Sequence, residues 1–136
     1  MKEIMIGAGL VSIVLNSFRA FMMGLRHEAH VELLQHLIAE KKFEEYEVTR
    51  GQWQWRKAVH AHGMLVSVVT IVVALLVSAM NCPGWYIVVM GTLLIVPQIT
   101  WSIFGWWFHR PLLGLGDILF ILGVIMGTAG YLKGVL

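Results

Sequence analysis

Two histidines, His60 and His62, stand one residue apart in "WRKAVHAHGMLVSVVTIVVALL" (Trp55 to Leu76), where two positive charges give way to an apolar run. Imidazole ligates metals and moves protons near neutral pH, and taking it out of water is costly. On a helix, residues two apart diverge by about 200°, so the pair cannot hold one ion together. One ring can face the protein interior while the other faces headgroups or a neighbouring copy. Two readings stay open. Arg56, Lys57, His60 and His62 form a solvated, snorkelling helix end, or one neutral imidazole ligates a metal, with haem iron first in line. The chain has no His-Glu-x-x-His or paired Cys/His ligand set, and "HEAH" at 27–30 is one residue short of that spacing.

Asn16 and Arg19, three apart, share a helix face. Arg19 either snorkels or points inward at an anion such as a haem propionate or a buried carboxylate. Asn16 suits a hydrogen bond between helices. Further along, Pro97 and Gln98 interrupt an apolar run that continues to Trp101, Trp106, Trp107 and His109. A proline there frees a backbone carbonyl and kinks the helix, usually beside a cavity or another helix. Trp101, one turn on, is the pocket candidate, whereas Trp53, Trp55, Trp85 and the terminal cluster read as an interface belt. Gly116, Gly123, Gly127, Gly130 and Gly134 form one stripe that lets another helix approach closely, a flat macrocycle being the lesser reading. Asp117, after "GLG", reads as a helix cap. No Ser/His/Asp set, phosphate loop or paired intramembrane carboxylates support hydrolysis or phosphate chemistry.

The elements that must position these residues are membrane helices. Of 136 residues, 58% are hydrophobic and 13% charged, about half the charge of a soluble domain. Spans are expected at about 4–25, 58–80, 85–108 and 113–132, each near the ~20 residues that cross a bilayer. "NCPG" and "HRPLLGLG" are short connections, and short connections make antiparallel neighbours. The fold class is therefore all-α: a single membrane domain, 1–136, built as a four-helix bundle. "HEAHVELLQHLIAEKKFEEYE" lacks Pro and Gly, and its apolar residues share a face. It predicts a long amphipathic linker helix, about 27–48, between spans one and two. Seven Lys/Arg lie in this linker and the loop after span three, against Lys2 and Lys133 opposite. The linker is thus expected in the cytoplasm and both termini outside, in a cell inner or plasma membrane. The first span has no A-x-A-like cleavage site and reads as retained. A net charge of +2 gives no case for nucleic acid, and one cysteine excludes an internal disulfide.

"WRKAVHAHG" (Trp55–Gly63) and "GLGDILFILGVIMG" (Gly114–Gly127), set in four short spans, resemble the styrene oxide isomerases and the related hydroxylaminobenzene mutases. The resemblance implies a homotrimer with haem b between subunits, held by the histidine that begins the second span. Ferric iron then acts as a Lewis acid on a small apolar epoxide, giving an aldehyde, or a hydroxylamine is rearranged. By position the ligand is His62 or His60; His62 lies deeper and shares a face with Val66, Val69 and Thr70. Gln98, Trp101 and Trp106 occupy the stretch that supplies Asn and Tyr to substrate in the isomerases. Their Asn two turns after the ligand is replaced here by Val66–Val69, so the resemblance carries the haem pocket further than the activity. Competing classes are a non-catalytic haem-binding or electron-transfer subunit, which needs two strong axial ligands, and a structural subunit without cofactor.

Overall fold

The computed structural model describes residues 1–107 and 110–136, with the side chains of residues 106, 107, 110 and 111 outside that description. Among the described residues every regular element is helical. The order is α1 (Lys2–Leu25), α2 (His27–Ala39), α3 (Phe43–Leu76) with a 3-10 turn (Val77–Ala79), α4 (Gly84–Ser102) with a second 3-10 turn (Phe104–Trp107), and α5 (Arg110–Val135). Lys2–Leu25, Phe43–Ala79, Gly84–Ser102 and Leu112–Val135 are each long and apolar enough to cross a membrane.

The linker departs from the expected single helix over 27–48. Helix α2 stops at Ala39 and the chain reverses into α3, which runs unbroken from the linker into the second apolar segment. Lys41 adopts the left-handed conformation at φ 57°. The Lys42 N–H donates to the Leu37 carbonyl and the Lys41 N–H to that of Ile38, at 2.9 and 3.0 Å. These two bonds make a Schellman stop with lysine where glycine is usual. The left-handed residue costs roughly 1–2 kcal/mol. Helix α2 offsets it by docking on α3: Leu37 is buried, and the His30 ring stacks on Trp53 at 4.3 Å.

Burial holds His30 below its ordinary pKa, and the positive charges of His27, Lys57 and Arg56 act the same way. A histidine lowered on folding resists protonation, so its contribution is complete above about pH 6.5 and fades as pH falls towards the folded value. Hydrogen exchange of the α2 amides, corrected for intrinsic rates, should therefore accelerate below about pH 6.5.

The third span also differs from the expected 85–108. Helix α4 ends at Ser102, where the Arg19 guanidinium donates to the Ser102 carbonyl. A cation at a helix C-terminus satisfies an orphan carbonyl and opposes the dipole, which favours stopping there. Phe108, the expected end of the span, lies outside the described residues.

Helices α1 and α3 pack extensively, as do α4 and α5; α3 and α1 both touch α4, while α3 meets α5 sparsely. Helices α3 and α4 thus lie between α1 and α5. Glycine allows these approaches. A Cβ at Gly9 would fall within 2.5 Å of Ile71, and one at Gly63 within 2.7 Å of the Asn16 carboxamide. The α5 stripe is occupied within the chain. Gly116 abuts Thr100, Gly123 abuts Leu94, Gly127 abuts Val73, Gly130 abuts Tyr86, and Gly134 abuts the Ala79 backbone. The stripe thus seats α5 against α4, α3 and the turn after α3.

Polarity is distributed opposite to that of a water-soluble domain. Ser12, Asn16, Ser67, Thr70, Gln98, Thr100 and Ser102 are buried. Val11, Val14 and Phe18 on α1, Leu65, Val68 and Val72 on α3, and Ile118, Ile121 and Ile125 on α5 are exposed. Continuous apolar rows facing outward at helical spacing match a hydrocarbon surround and would be a liability in water.

Candidate functional site

The two histidines of α3 point to different sides of the chain. His62 turns towards α4, its ring stacked on Trp101 with centroids 4.5 Å apart and planes 20° from parallel. Trp101 is buried, and its Nε1 donates to Asp117 Oδ1 of α5 at 2.8 Å. Asp117 is not the expected cap: α5 already begins at Arg110, so this carboxylate lies inside the helix and braces the indole instead. His62 Nδ1 lies 3.1 Å from the Ala58 carbonyl one turn back. A carbonyl only accepts, so the proton of a neutral ring sits on Nδ1 and the Nε2 lone pair remains available. This is the tautomer in which a histidine serves as an oriented metal ligand. His62 itself is exposed on the outside of the helix assembly.

His60 faces the linker. It lines a cleft of about 250 Å³ with Ala20, Met23, His27, Trp53 and Lys57, and its Nδ1 has no partner.

Asn16 and Arg19 converge on the C-terminal end of α4. Asn16 is fully buried; its Nδ2 donates to the Ser12 carbonyl at 2.9 Å and to Ser102 Oγ at 3.0 Å. Ser12 and Ser102 share a hydroxyl hydrogen bond, and Arg19 donates to the Ser102 carbonyl. Asn16 thus joins helices, and Arg19 meets a helix end.

Gln98 and Trp101, expected in one pocket, separate. Trp101 packs with Val59, Val66 and Leu113. Gln98 lines a groove of about 270 Å³ between α1 and α4, with Ser12, Ser102 and otherwise apolar side chains. Gln98 is 2% exposed, yet both its Nε2 and its Oε1 lack partners. An orphaned buried amide costs about 1–3 kcal/mol. Gln98→Leu should therefore raise the thermal midpoint of the detergent-solubilised protein; a fall would show that the amide is satisfied by a bound group. The Trp106 side chain, the third expected pocket residue, lies outside the described residues.

Ser12 and Ser102, the partners of Asn16, escaped sequence reading because single serines in apolar runs carry no signal beyond burial. Trp53 was expected in the interface belt but is buried between α2 and α3; the stop at Lys41 that places it there is unmarked by Gly or Pro.

The arrangement can supply one oriented imidazole lone pair, on a membrane-compatible surface, beside a braced indole. Among the described residues no three His, Cys, Asp or Glu converge. A metal held at His62 must therefore bring most of its own donors, as a porphyrin does. The described cavities do not include His62, so a planar group there needs a second wall. Comparison with known protein families, with characterised proteins and with solved structures finds no significant match for this chain.

Proposed function

We propose that this chain is an integral membrane isomerase that uses haem b, with its four apolar helices crossing the bilayer as a bundle. The long linker faces the cytoplasm and both termini lie outside. The observation that carries the proposal is the state of His62: its Nδ1 is engaged by the Ala58 carbonyl at 3.1 Å, which leaves Nε2 free on an exposed face of α3. The likeness of "WRKAVHAHG" and "GLGDILFILGVIMG" to the styrene oxide isomerases supports the same reading.

His62 holds the haem, and Trp101, fixed by Asp117, holds the imidazole plane. Because His62 sits on an open surface, the second wall comes from another copy of the chain; a trimer satisfies this with three equivalent contacts. Bound haem supplies a Lewis-acidic iron that polarises the oxygen of a small apolar epoxide or hydroxylamine without net redox change. The protein's own part is to orient the one ligand, exclude water and admit an apolar substrate from the bilayer. His60, turned to the other side of α3, cannot be a second ligand to the same iron. Within one chain this leaves a single strong ligand, whereas an electron-transfer subunit needs a second one from the neighbouring copy.

The test is turnover. Purified protein incubated with an aryl epoxide and no reductant should yield the corresponding aldehyde. If neither an epoxide nor an arylhydroxylamine is rearranged by haem-loaded protein, the isomerase reading fails and a haem-binding subunit takes its place.

A further inference from the structure

Two clefts flank Trp53 where the linker hairpin meets the first and second apolar helices. One, of about 320 Å³, is lined by Arg26, His30, Thr49, Gln52, Trp53 and Arg56. The other, of about 250 Å³, is lined by His27, Lys57 and His60 with Trp53 and apolar residues of α1. The linker between α1 and the second apolar run carries six glutamates, Glu28, Glu32, Glu40, Glu44, Glu45 and Glu47. None of them lines either cleft. The glutamates that meet cations do so elsewhere, Glu40 with His36 and Lys42 and Glu47 with Arg50.

The clefts are therefore donor-rich and poor in negative charge. Trp53 is 9% exposed, and its indole N–H, which can only donate, has no acceptor. An orphaned buried donor beside two arginines calls for an acceptor with negative charge. Burial is the main cause that holds the His30 pKa down, and the charges of His27, Lys57 and Arg56 add to it. Lys57 immediately precedes the apolar run from Ala58, and Ala20 and Met23 give the second cleft an apolar floor. Together these place the donors where lipid phosphates lie, just outside the hydrocarbon.

We propose that the Trp53 clefts bind the phosphate of an anionic phospholipid, with Arg26 and Arg56 as charge partners and the Trp53 indole as hydrogen-bond donor. The site is independent of haem and of His62. An occupied site ties α2 to α3 through the lipid and removes the penalty of the orphaned indole.

The test measures binding of dihexanoyl phosphatidylglycerol, dihexanoyl phosphatidylcholine and inorganic phosphate to the full chain in neutral detergent. Phosphatidylglycerol should saturate and bind about tenfold more tightly than phosphatidylcholine. Removing both charges in the Arg26→Gln/Arg56→Gln variant should weaken it roughly 25-fold, about fivefold per arginine. Trp53→Phe keeps the ring but not the donor and should cost about fivefold. Arg50→Gln, on the linker but away from the clefts, should bind as wild type, and circular dichroism confirms that each variant keeps its helix content. Equal binding of the two lipids overturns the proposal, as does unchanged affinity in the double variant or in Trp53→Phe. Inorganic phosphate competing at the same concentration as phosphatidylglycerol overturns the assignment to lipid and makes the clefts a soluble-anion site.

Discussion

His62→Ala should abolish haem retention while His60→Ala leaves it intact, although the two residues differ in position by only two. Loss of an axial ligand should exceed the roughly 10–100-fold loss that follows removal of an outer-shell partner. The asymmetry has a geometric origin. His62 has its Nδ1 committed to the Ala58 carbonyl and its ring held on Trp101, whereas His60 turns into the cleft beneath the linker. His62 is exposed on the outer side of Trp101, so its truncation should leave the helices assembled. The readout is the Soret absorbance per mole of protein, with circular dichroism checking helix content. Loss of haem in His60→Ala alone would move the ligand to the linker side and contradict the assignment.

Gly63→Leu should be among the most destabilising single changes in the chain. Even a Cβ there would fall 2.7 Å from both terminal atoms of the Asn16 carboxamide. That carboxamide cannot yield cheaply, because it is fully buried and holds Ser12 and Ser102. A leucine forces α1 from α3 and breaks the hydrogen bonds to the end of α4, costing about 1–3 kcal/mol from overpacking. The lost hydrogen bonds add about 1 kcal/mol each. Gly7→Leu is the matched control: nothing lies within 4 Å of a Cβ at Gly7. Thermal midpoints of the two variants in one detergent should differ clearly, with Gly7→Leu close to wild type.

The helical class and the four apolar segments were legible because their signal is composition and length, which packing does not override. The divergence of His60 from His62 was legible too, since it follows from helix periodicity alone. The linker was not. Its reversal rests on Lys41 in a left-handed conformation, a place where glycine would have marked the turn and lysine does not. The same blind spot hid the burial of Trp53. Asp117 was misplaced for a related reason: "GLG" looks like a boundary, but α5 runs through it, supported by Thr100 and Pro97 packed against Gly116. The glycine stripe was visible as a packing surface, but sequence could not say which helix fills it. Gln98 and Trp101 looked like pocket partners by spacing, yet one lines the α1–α4 groove and the other packs beside α3 and α5.

The proposed function stands on haem being held by a single histidine, His62. The visible absorption spectrum of protein purified from haem-replete cells tests it most directly. A Soret band is expected, with the position and ligand-sensitive bands of iron that has one strong protein ligand and an open sixth position. A colourless preparation, still colourless after incubation with haemin, would contradict it.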